Sequence, residues 1–475
     1  MKYKLKSAFY CAMMAASLAT LTLLLSCQTG MEQLIEAKEL NALSPDGRIQ
    51  TLPRLTEHRD SAVAILLPDT VLKYQQPTNT FTLADTILFP TYPHDLLGDC
   101  QPLPLGSVPD FQISQIELID SDDDKFFLLA WNGLTRNKVH REGERACLIF
   151  NKKGKCLAKV TPTLTFPNGT KVVRDVQDMA INRKKKEIRL ECMSERADFR
   201  YACYYNYKGK YLRRELLVPN NMRIDSFCDD WITAMYKEDN TLPAFDLPQL
   251  LLYNERLKEF RRALLEPQKI DARSKFVSSL ASAPNGDLFY APYHSDTVWQ
   301  VTPDAVIARY VLHGPTVGAT VSPYDKDSTY VPGTYFLSQN GRMCRSDISN
   351  FLVSDDFMFL QYCKWNTLEW DNKTHSRSGS YAPIVCILSR RTNHVRMFQA
   401  APIWPASFSS QFLVGKPRCL TANNELVYVE DIVSLKKKAA TYKDTNILSN
   451  SEKDFIKRLP MDGNPVLILL PLKHF

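Results

Sequence analysis

The chain has 475 residues, of which 44% are apolar and 23% are charged, so it is neither disordered nor fibrous and can bury a large core. Lysine and arginine (59) exceed aspartate and glutamate (52), which gives a net charge of +7 at pH 7. Three of those lysines fall within the first 26 residues, and the remaining chain carries +4, too small an excess to indicate a nucleic-acid partner. Glycine contributes only 17 residues, which excludes glycine-rich low complexity.

The amino terminus has the pattern of an export signal. Three lysines among the first six residues precede an apolar run from Ala8 to Leu25, and residues 1–26 contain no acidic side chain. The run is about as long as a helix that spans a bilayer, so an uncleaved anchor is the alternative. The residues that follow favour cleavage.

The sequence Leu24-Leu25-Ser26-Cys27 resembles the lipobox of bacterial lipoproteins. The resemblance implies that residues 1–26 are a signal peptide and that Cys27 becomes the lipidated first residue. Two or more acyl chains hold a protein stably on a membrane, so the protein is expected to be tethered there. The residue after the cysteine is Gln28 rather than Asp, which by the same resemblance favours the outer membrane. Both the periplasmic and the surface-facing leaflet remain possible locations. Residues 27–60 are polar and charged and are interpreted as the tether.

An acidic run, Asp120-Ser-Asp122-Asp123-Asp124, has two interpretations. Its carboxylates are hard oxygen ligands that Ca²⁺ accepts, but the glycine and distal glutamate of an EF-hand loop are missing. The preferred interpretation is a solvated hairpin turn, and no metal site is predicted.

The body of the chain, residues 61–475, is predicted to be rich in β-strands. Short segments of β-branched and aromatic residues recur, with hairpin turns in Ala180–Leu190, Ser282–Tyr290 and Cys419–Tyr428. Asn-Gly and Asn-Asn in such turns supply the positive φ that tight hairpins need. Cys192 and Cys203 fall on two strands of one predicted hairpin, where buried free thiols are preferred over a disulfide.

A weak internal repeat joins an apolar strand, a short polar turn and a second strand. Its six copies align at Phe150, Tyr205, Tyr253, Val301, Leu388 and Leu459, with intervals of 55, 48, 48, 87 and 71 residues. Intervals near 50 are typical of one four-stranded propeller blade each, so six copies predict six blades. A strand near Ala62–Leu67 could complete the last blade and close the ring.

Four segments carry a family resemblance: Phe150–Lys155, its echo Tyr205–Lys210, Tyr293–Trp299 and Asp462–Lys473. Together with the lipobox they resemble the six-bladed, TolB-like β-propeller lipoproteins of Bacteroidetes, over roughly residues 115–475. The resemblance implies an all-β, six-bladed β-propeller behind an N-terminal lipoprotein signal and tether. It supplies no catalytic residues, so none is assigned.

Two insertions interrupt the repeat. Residues 316–350 either cover one mouth of the propeller or form a solvated excursion. Residues 434–458 are predicted to be helical and to pack outside the last blade, with Ser451 as an N-cap.

Tyr293, His294 and Asp296 are candidate channel or ligand contacts. His294 on a strand could act as a base or ligand near the channel, but a structural histidine is the preferred interpretation. Two lysine runs, 184–186 and 436–438, could bind anionic glycans or lipid headgroups, although turns commonly carry such runs.

The common hydrolase, metalloprotease, dinucleotide and NTPase motifs are absent, and no cofactor is predicted. The sequence therefore favours a lipid-anchored, exported binding or scaffold module for protein or carbohydrate at the cell envelope, without a nucleic-acid partner. The alternative is a carbohydrate-active enzyme, a lyase or hydrolase, with its site in the central channel.

Overall fold

The computed structural model describes residues 73–75, 79–82 and 96–475, the last range with gaps. The gaps are residues 123, 134, 138–139, 142, 166–170, 174, 194–198, 220–221, 229–230, 237–249, 255–258, 264–278, 292–296, 314–344, 366–368, 372–375, 379–380, 400–415, 442–449 and 462. The predicted signal peptide, Cys27, the tether and the segment Ala62–Leu67 lie outside the described residues, as do Tyr293, His294 and Asp296.

The described residues form 32 strands and two helices. Up to residue 236 the strands are β1 (Lys73–Gln75), β2 (Asn79–Thr82), β3 (Gln101–Pro104), β4 (Gln115–Asp122), β5 (Lys125–Trp131), β6 (Thr135–Asn137), β7 (His140–Arg141), β8 (Arg145–Asn151), β9 (Cys156–Val160), β10 (Thr163–Thr165), β11 (Lys171–Val173), β12 (Val176–Asn182), β13 (Glu187–Met193), β14 (Phe199–Asn206), β15 (Tyr211–Pro219), β16 (Met222–Cys228) and β17 (Trp231–Tyr236). The later elements are β18 (Leu250–Asn254), β19 (Glu259–Ala263), β20 (Ser279–Ser282), β21 (Leu288–Ala291), β22 (Thr297–Val301), β23 (Ala305–His313), β24 (Arg345–Val353), β25 (Phe357–Trp365), β26 (Glu369–Asp371), β27 (Ser376–Ser378), β28 (Tyr381–Ser389), β29 (Val395–Gln399), β30 (Cys419–Leu420), β31 (Glu425–Glu430), α1 (Ile432–Thr441), α2 (Asn450–Arg458) and β32 (Val466–Pro471).

These elements build an all-β propeller. Five sheets have four strands each: sheet 1 is β4-β5-β8-β9, sheet 2 is β12–β15, sheet 3 is β16–β19, sheet 5 is β24-β25-β28-β29 and sheet 6 is β30-β31-β32-β3. Sheet 4 has six strands, because β1 and β2 pair in parallel with β23 outside the antiparallel set β20–β23. The expectation of six four-stranded blades is therefore wrong as stated, since the described residues show five.

The first strands of the sheets contact one another in cyclic order, β4, β12, β16, β20, β24, β30 and back to β4. They are thus the inner strands of a ring. Strand β5 shows why the second strand of a sheet is a continuous run of apolar residues in the sequence. Phe126 and Leu128 pack in a core cluster with sheet 6, whereas Phe127 and Leu129 pack in one with sheet 2. Both faces of the strand are buried between neighbouring sheets.

The three predicted hairpins are confirmed. They join β12 to β13, β20 to β21 and β30 to β31. In each turn one residue has the positive φ expected there: Lys186 at 54°, Gly286 at 94° and Asn424 at 62°. The local turn chemistry thus determines where these strands reverse.

Five of the six repeat copies end the third strand of a sheet and lead into the fourth, at β8, β14, β18, β22 and β28. The sixth alignment, at Leu459, is wrong. Leu459 follows α2 and precedes β32, and β32 itself is the third strand of sheet 6. Within the described residues the fourth strand of sheet 6 is β3, from the amino-terminal side.

Ring closure was expected from an amino-terminal strand, and β3 provides it by pairing antiparallel with β32 from Gln101↔Leu469 to Pro104↔Val466. The segment leading to β3 continues this contact, because the N–H of Lys473 donates to the carbonyl of Leu96 at 2.7 Å. The closing strand is thus some 40 residues after the expected one near Ala62–Leu67, which the structure does not describe.

The predicted helical insertion at 434–458 is confirmed as α1 and α2, which pack on sheets 5 and 6 through Ile432, Leu435 and Ile456. Helix α2 begins at Asn450, so Ser451 lies inside the helix and is not its N-cap. Of the other insertion, 316–350, the last six residues open β24 and the rest lies outside the described residues.

Cys192 and Cys203 lie on paired strands, as predicted, and both are free thiols. The register sets Cys192 opposite Tyr201 and Cys203 opposite Leu190, so the two cysteines are diagonal neighbours. This arrangement agrees with the preferred interpretation of buried thiols.

Candidate functional site at the turn face

In sheets 1, 2, 4, 5 and 6 the turns between the first and second strands line a cavity at one end of the ring. In an antiparallel meander the turns between third and fourth strands lie at the same end, and we name this end the turn face. The cavity has a volume of about 420 Å³. Its lining comes from five of the sheets: Asp122, residues 181–184 and 186, residues 282–286, Asp355 and Ala422.

The acidic run meets the basic turn of the next sheet at this cavity. The guanidinium of Arg183, in the β12–β13 turn, pairs with Asp120 and donates to the carbonyl of Ser121 at 3.1 Å. The ammonium of Lys186 lies 2.6 Å from the carboxylate of Asp122. The predicted hairpin turn is therefore present. Its tip is solvated at Asp124, whose side chain is 73% exposed, whereas the side chain of Asp122 is only 5% exposed.

Burial is the main cause of the pKa shifts of Asp120 and Tyr207, which lie at this contact between the two sheets. Burial raises the pKa of Asp120 above its ordinary value, with Arg183 opposing the shift. Burial, and then the negative charge of Asp122, likewise raise the pKa of Tyr207, whose ring lies beneath Lys186. The paired state of these side chains ties sheet 1 to sheet 2.

A second set of polar contacts joins the sheets on the opposite side of the turn face. The amide of Asn424 donates to Asp356 at 2.9 Å, and its carbonyl accepts from the hydroxyl of Ser354 at 2.7 Å. Arg390 pairs with Asp287 at 2.5 Å, and the N–H of Asn285 donates to Asp355 at 2.9 Å. These contacts join sheets 4, 5 and 6, so they hold the rim of the cavity in place.

The turn face is charged, and its charged side chains are paired between sheets. The carboxylates named above have cationic or amide partners on another sheet. Across the part of the chain that the structure describes, no group of three or more His, Cys, Asp or Glu side chains is placed to hold a metal ion.

The sequence singled out Tyr293, His294 and Asp296 as contacts, and these three are outside the described residues. Sequence reasoning missed Arg183 as the partner of Asp120. The available signal was the basic run 183–186 in a predicted turn and the acidic run 120–124 in another, but nothing in either run indicates that they face each other.

Comparison with known proteins identifies the fold. No family model matches the chain, and no curated protein matches its sequence. Within the described residues no helix has the length and apolar character needed to cross a membrane.

A solved protein from Bacteroides fragilis, assigned as exported, is 12% identical, with 83% of this chain and 99% of that one covered and a TM-score of 0.52. A virginiamycin B lyase from Staphylococcus aureus aligns at 10% identity over 79% and 99% of the chains, with a TM-score of 0.33. The β-propeller domain of the Trilobed protease from Pyrococcus furiosus aligns at 9% identity over 62% and 94%, with a TM-score of 0.26. At 12% identity the likeness to the Bacteroides fragilis protein concerns the fold alone, and this chain has an all-β propeller fold.

Proposed function

We propose that this protein is an exported, lipid-anchored propeller at the outer membrane that binds a protein or carbohydrate ligand at its turn face. Anchoring would be through Cys27, on the evidence of the lipobox. Fold alone does not determine function, so the proposal rests on the chemistry of the face.

The observation that carries the proposal is the pairing of the charged side chains around the cavity. Arg183 with Asp120, Lys186 with Asp122 and Arg390 with Asp287 each join two sheets. A catalytic acid or base must exchange protons with a substrate, whereas these groups are held by their partners. A binding module needs such a rigid, preorganised surface.

We also propose that the propeller belongs with the TolB-like lipoproteins. Sheet 4 would complete the ring beside the five four-stranded blades, because its strands β20–β23 have the connectivity of the other sheets and β20 contacts both β16 and β24. Its two parallel strands, β1 and β2, would then be an addition to the outer edge.

The binding role is tested by pull-down of the full chain from outer membranes together with a glycan array of neutral and acidic oligosaccharides. We expect capture of a defined protein or glycan, and no change in the length of the glycans bound. Silence in both assays, combined with turnover of a polysaccharide, would overturn the proposal.

The anchor is tested by Cys27→Ala in the native host. We expect the variant to leave the membrane fraction or to accumulate as the unprocessed precursor, because no acyl chain can be attached. An unchanged mass and an unchanged fractionation would contradict lipidation.

One observation favours the second candidate, a carbohydrate-active enzyme in the channel. Asp120 and Asp122 are two carboxyl groups on one strand, and the pKa of Asp120 is raised by burial. Two neighbouring carboxyl groups, one of them with a raised pKa, are the usual apparatus of glycoside hydrolysis. Polysaccharide turnover that Asp122→Asn abolishes would establish this candidate.

A further inference from the structure

Two adjacent sheets present the same lysine-bearing turn. In the β8–β9 turn, the side-chain oxygen of Asn151 accepts the backbone N–H groups of Lys153 and Lys155, each at 3.0 Å. Gly154, between the two lysines, has a φ of 77°. The asparagine therefore fixes the backbone positions from which both lysine side chains extend.

The β14–β15 turn repeats this geometry. Asn206 accepts the N–H groups of Lys208 and Lys210, each at 3.0 Å, and Gly209 has a φ of 78°. All four lysines are exposed, and the described residues contain no ion-pair partner for any of them. A structural turn needs the Asn and the Gly, but it does not need a lysine on each side of the glycine.

The two turns are neighbours, and a third basic turn adjoins them. A Cβ atom built on Gly209 would lie 3.1 Å from side-chain atoms of Ala158 and Val160 on β9, so the second turn packs against sheet 1. The ring of Tyr207 lies 4.6 Å from that of Phe127 and 5.5 Å from the ammonium of Lys186. The turns 151–155, 183–186 and 206–210 thus form one surface, which we name the basic cluster.

The basic cluster is strongly cationic. Of its fourteen residues nine are lysine or arginine and none is acidic. Asp120 and Asp122 neutralise Arg183 and Lys186, which leaves most of the positive charge in exposed lysines. Positive charge spread over three turns matches an extended polyanion better than a single small anion.

The tips of the turns exclude a membrane as the preferred occupant. A surface that enters a bilayer presents apolar side chains at its tips. The basic cluster exposes none, because the ring of Tyr207 is buried and the exposed Leu157, Tyr211 and Leu212 lie on the fourth strands, beyond the turns. The exposed residues of the basic cluster are all lysines, which suit a hydrophilic partner.

The adjoining cavities favour a glycan among polyanions. The cavity of about 420 Å³ combines lysines with Asn285 and Asp355, whose exposed side chains can donate or accept hydrogen bonds with sugar hydroxyls. A second, open groove of about 930 Å³ runs beside the first lysine pair, between residues 104–110 and 153–159.

We propose that the basic cluster binds a linear acidic polysaccharide, with carboxylates or sulfates contacting the paired lysines and hydroxyls contacting the cavity. This inference rests on the proposed binding function and specifies its ligand class. Asn151 and Asn206 hold the backbone of the two lysine-bearing turns, and the packing of sheet 1 against sheet 2 sets the distance between these turns.

The test uses the full chain and a matched pair of quadruple variants. The first changes Lys153, Lys155, Lys208 and Lys210 to Gln. The control changes Lys416, Lys437, Lys457 and Lys473 to Gln, which are exposed lysines outside the basic cluster, and removes the same net charge. Both sets leave the Asn and Gly of the turns intact, and circular dichroism with thermal unfolding checks that each variant folds.

Binding is measured by calorimetry with polygalacturonate, heparin and neutral dextran, at low and near-physiological ionic strength. We expect the protein to bind one or both acidic polymers but not dextran, with affinity that falls as salt rises. The cluster variant should bind at least roughly tenfold more weakly, and the control should stay within about twofold of the wild type.

Equal weakening of the two variants would overturn the proposal, because only net charge would then matter. Tighter binding to duplex DNA than to either polymer would also overturn it, as would a lysine-dependent preference for phosphatidylglycerol vesicles over phosphatidylcholine vesicles. If the glycan array and pull-down show a neutral glycan or a protein whose capture the cluster variant retains, the binding function stands and the acidic ligand class fails.

Discussion

Position 154 requires glycine for two separate reasons, its backbone conformation and a close contact with a neighbouring strand. Its φ of 77° is in the left-handed region, and a Cβ atom there would lie 2.1 Å from the carbonyl oxygen of Pro104 at the end of β3. Gly286 has a comparable φ of 94° but no atom within 4 Å of its Cβ position. Comparing alanine substitutions at Gly154 and Gly286 therefore distinguishes the cost of backbone strain from the cost of a steric clash.

We expect Gly286→Ala to lower the free energy of unfolding by about 1–2 kcal/mol, which is the cost of left-handed backbone for an L-residue. Gly154→Ala should cost roughly 1–3 kcal/mol more, because the end of β3 must also move. Urea unfolding of both variants provides the measurement. Equal losses for the two would show that the contact with Pro104 relaxes freely.

Residue patterns in the sequence revealed part of the candidate site. Asn151 and Asn206 are recognisable from sequence as turn residues, because their side chains act on backbone groups only two and four positions away. The pairing of Asp120 with Arg183 was not predictable in the same way. It depends on how sheet 1 packs on sheet 2, and the two residues are 63 positions apart.

At the scale of elements, helix α1 depends on a capping carboxylate. Asp431 precedes the helix, and its carboxylate accepts the N–H of Ser434 at 2.7 Å. Partial burial raises the pKa of Asp431, but the hydrogen bonds from Ser434 outweigh it and leave the pKa below its ordinary value of 3.8. The helix packs Ile432 and Leu435 into the core between sheets 5 and 6.

We expect Asp431→Ala to cost about 1 kcal/mol of unfolding free energy at neutral pH. Because the folded-state pKa is depressed, the ionised form contributes its stabilisation above the unfolded value of 3.8 and loses it as the pH falls through the folded pKa. The difference from wild type should therefore shrink below pH 3.8. Unfolding at neutral and acidic pH measures it, and a constant difference would contradict capping by the carboxylate.

The matched control is Asp454→Ala, which removes an exposed carboxylate from within α2. It has no capping bond among the contacts of the described residues, so little loss is expected at either pH. A similar loss in both variants would point to general charge effects.

The elements themselves were largely predictable. The hairpins at β12–β13, β20–β21 and β30–β31 follow from residues that favour positive φ, and α1 and α2 fall within the predicted insertion. The parallel pairing of β1 and β2 with β23 was not predicted. Parallel strands need a long connection, and no local residue pattern identifies the partner.

At the scale of the whole molecule, closure of the ring depends on the segment 96–105. It buries Leu96, Leu97 and Leu105, and its strand β3 covers the edge of β32. Without β3, strand β32 would become the outer edge of sheet 6 and expose both apolar surface and backbone hydrogen-bonding groups.

We expect a chain that begins at residue 106 to lose several kcal/mol of stability, since burying one large apolar side chain contributes about 1.5–3 kcal/mol. It should also aggregate through the open edge of sheet 6. A chain that begins at residue 84 retains β3 and, of the described strands, lacks only β1 and β2. It is the control and should unfold in a single transition near that of the longer chain. Thermal unfolding and light scattering compare them, and equal behaviour of the two would contradict closure by β3.

The sequence by itself determined the β-rich character, the positions of the turns and the five repeat copies that lead from third to fourth strands. These are local properties, since φ preferences and alternating side chains act over a few residues. Only the tertiary structure decided that β3 closes the ring, that Leu459 is not a sixth such turn and that the acidic run faces the basic turn of the next sheet. Several apolar segments could form an edge strand equally well, and the geometry of closure selects one among them.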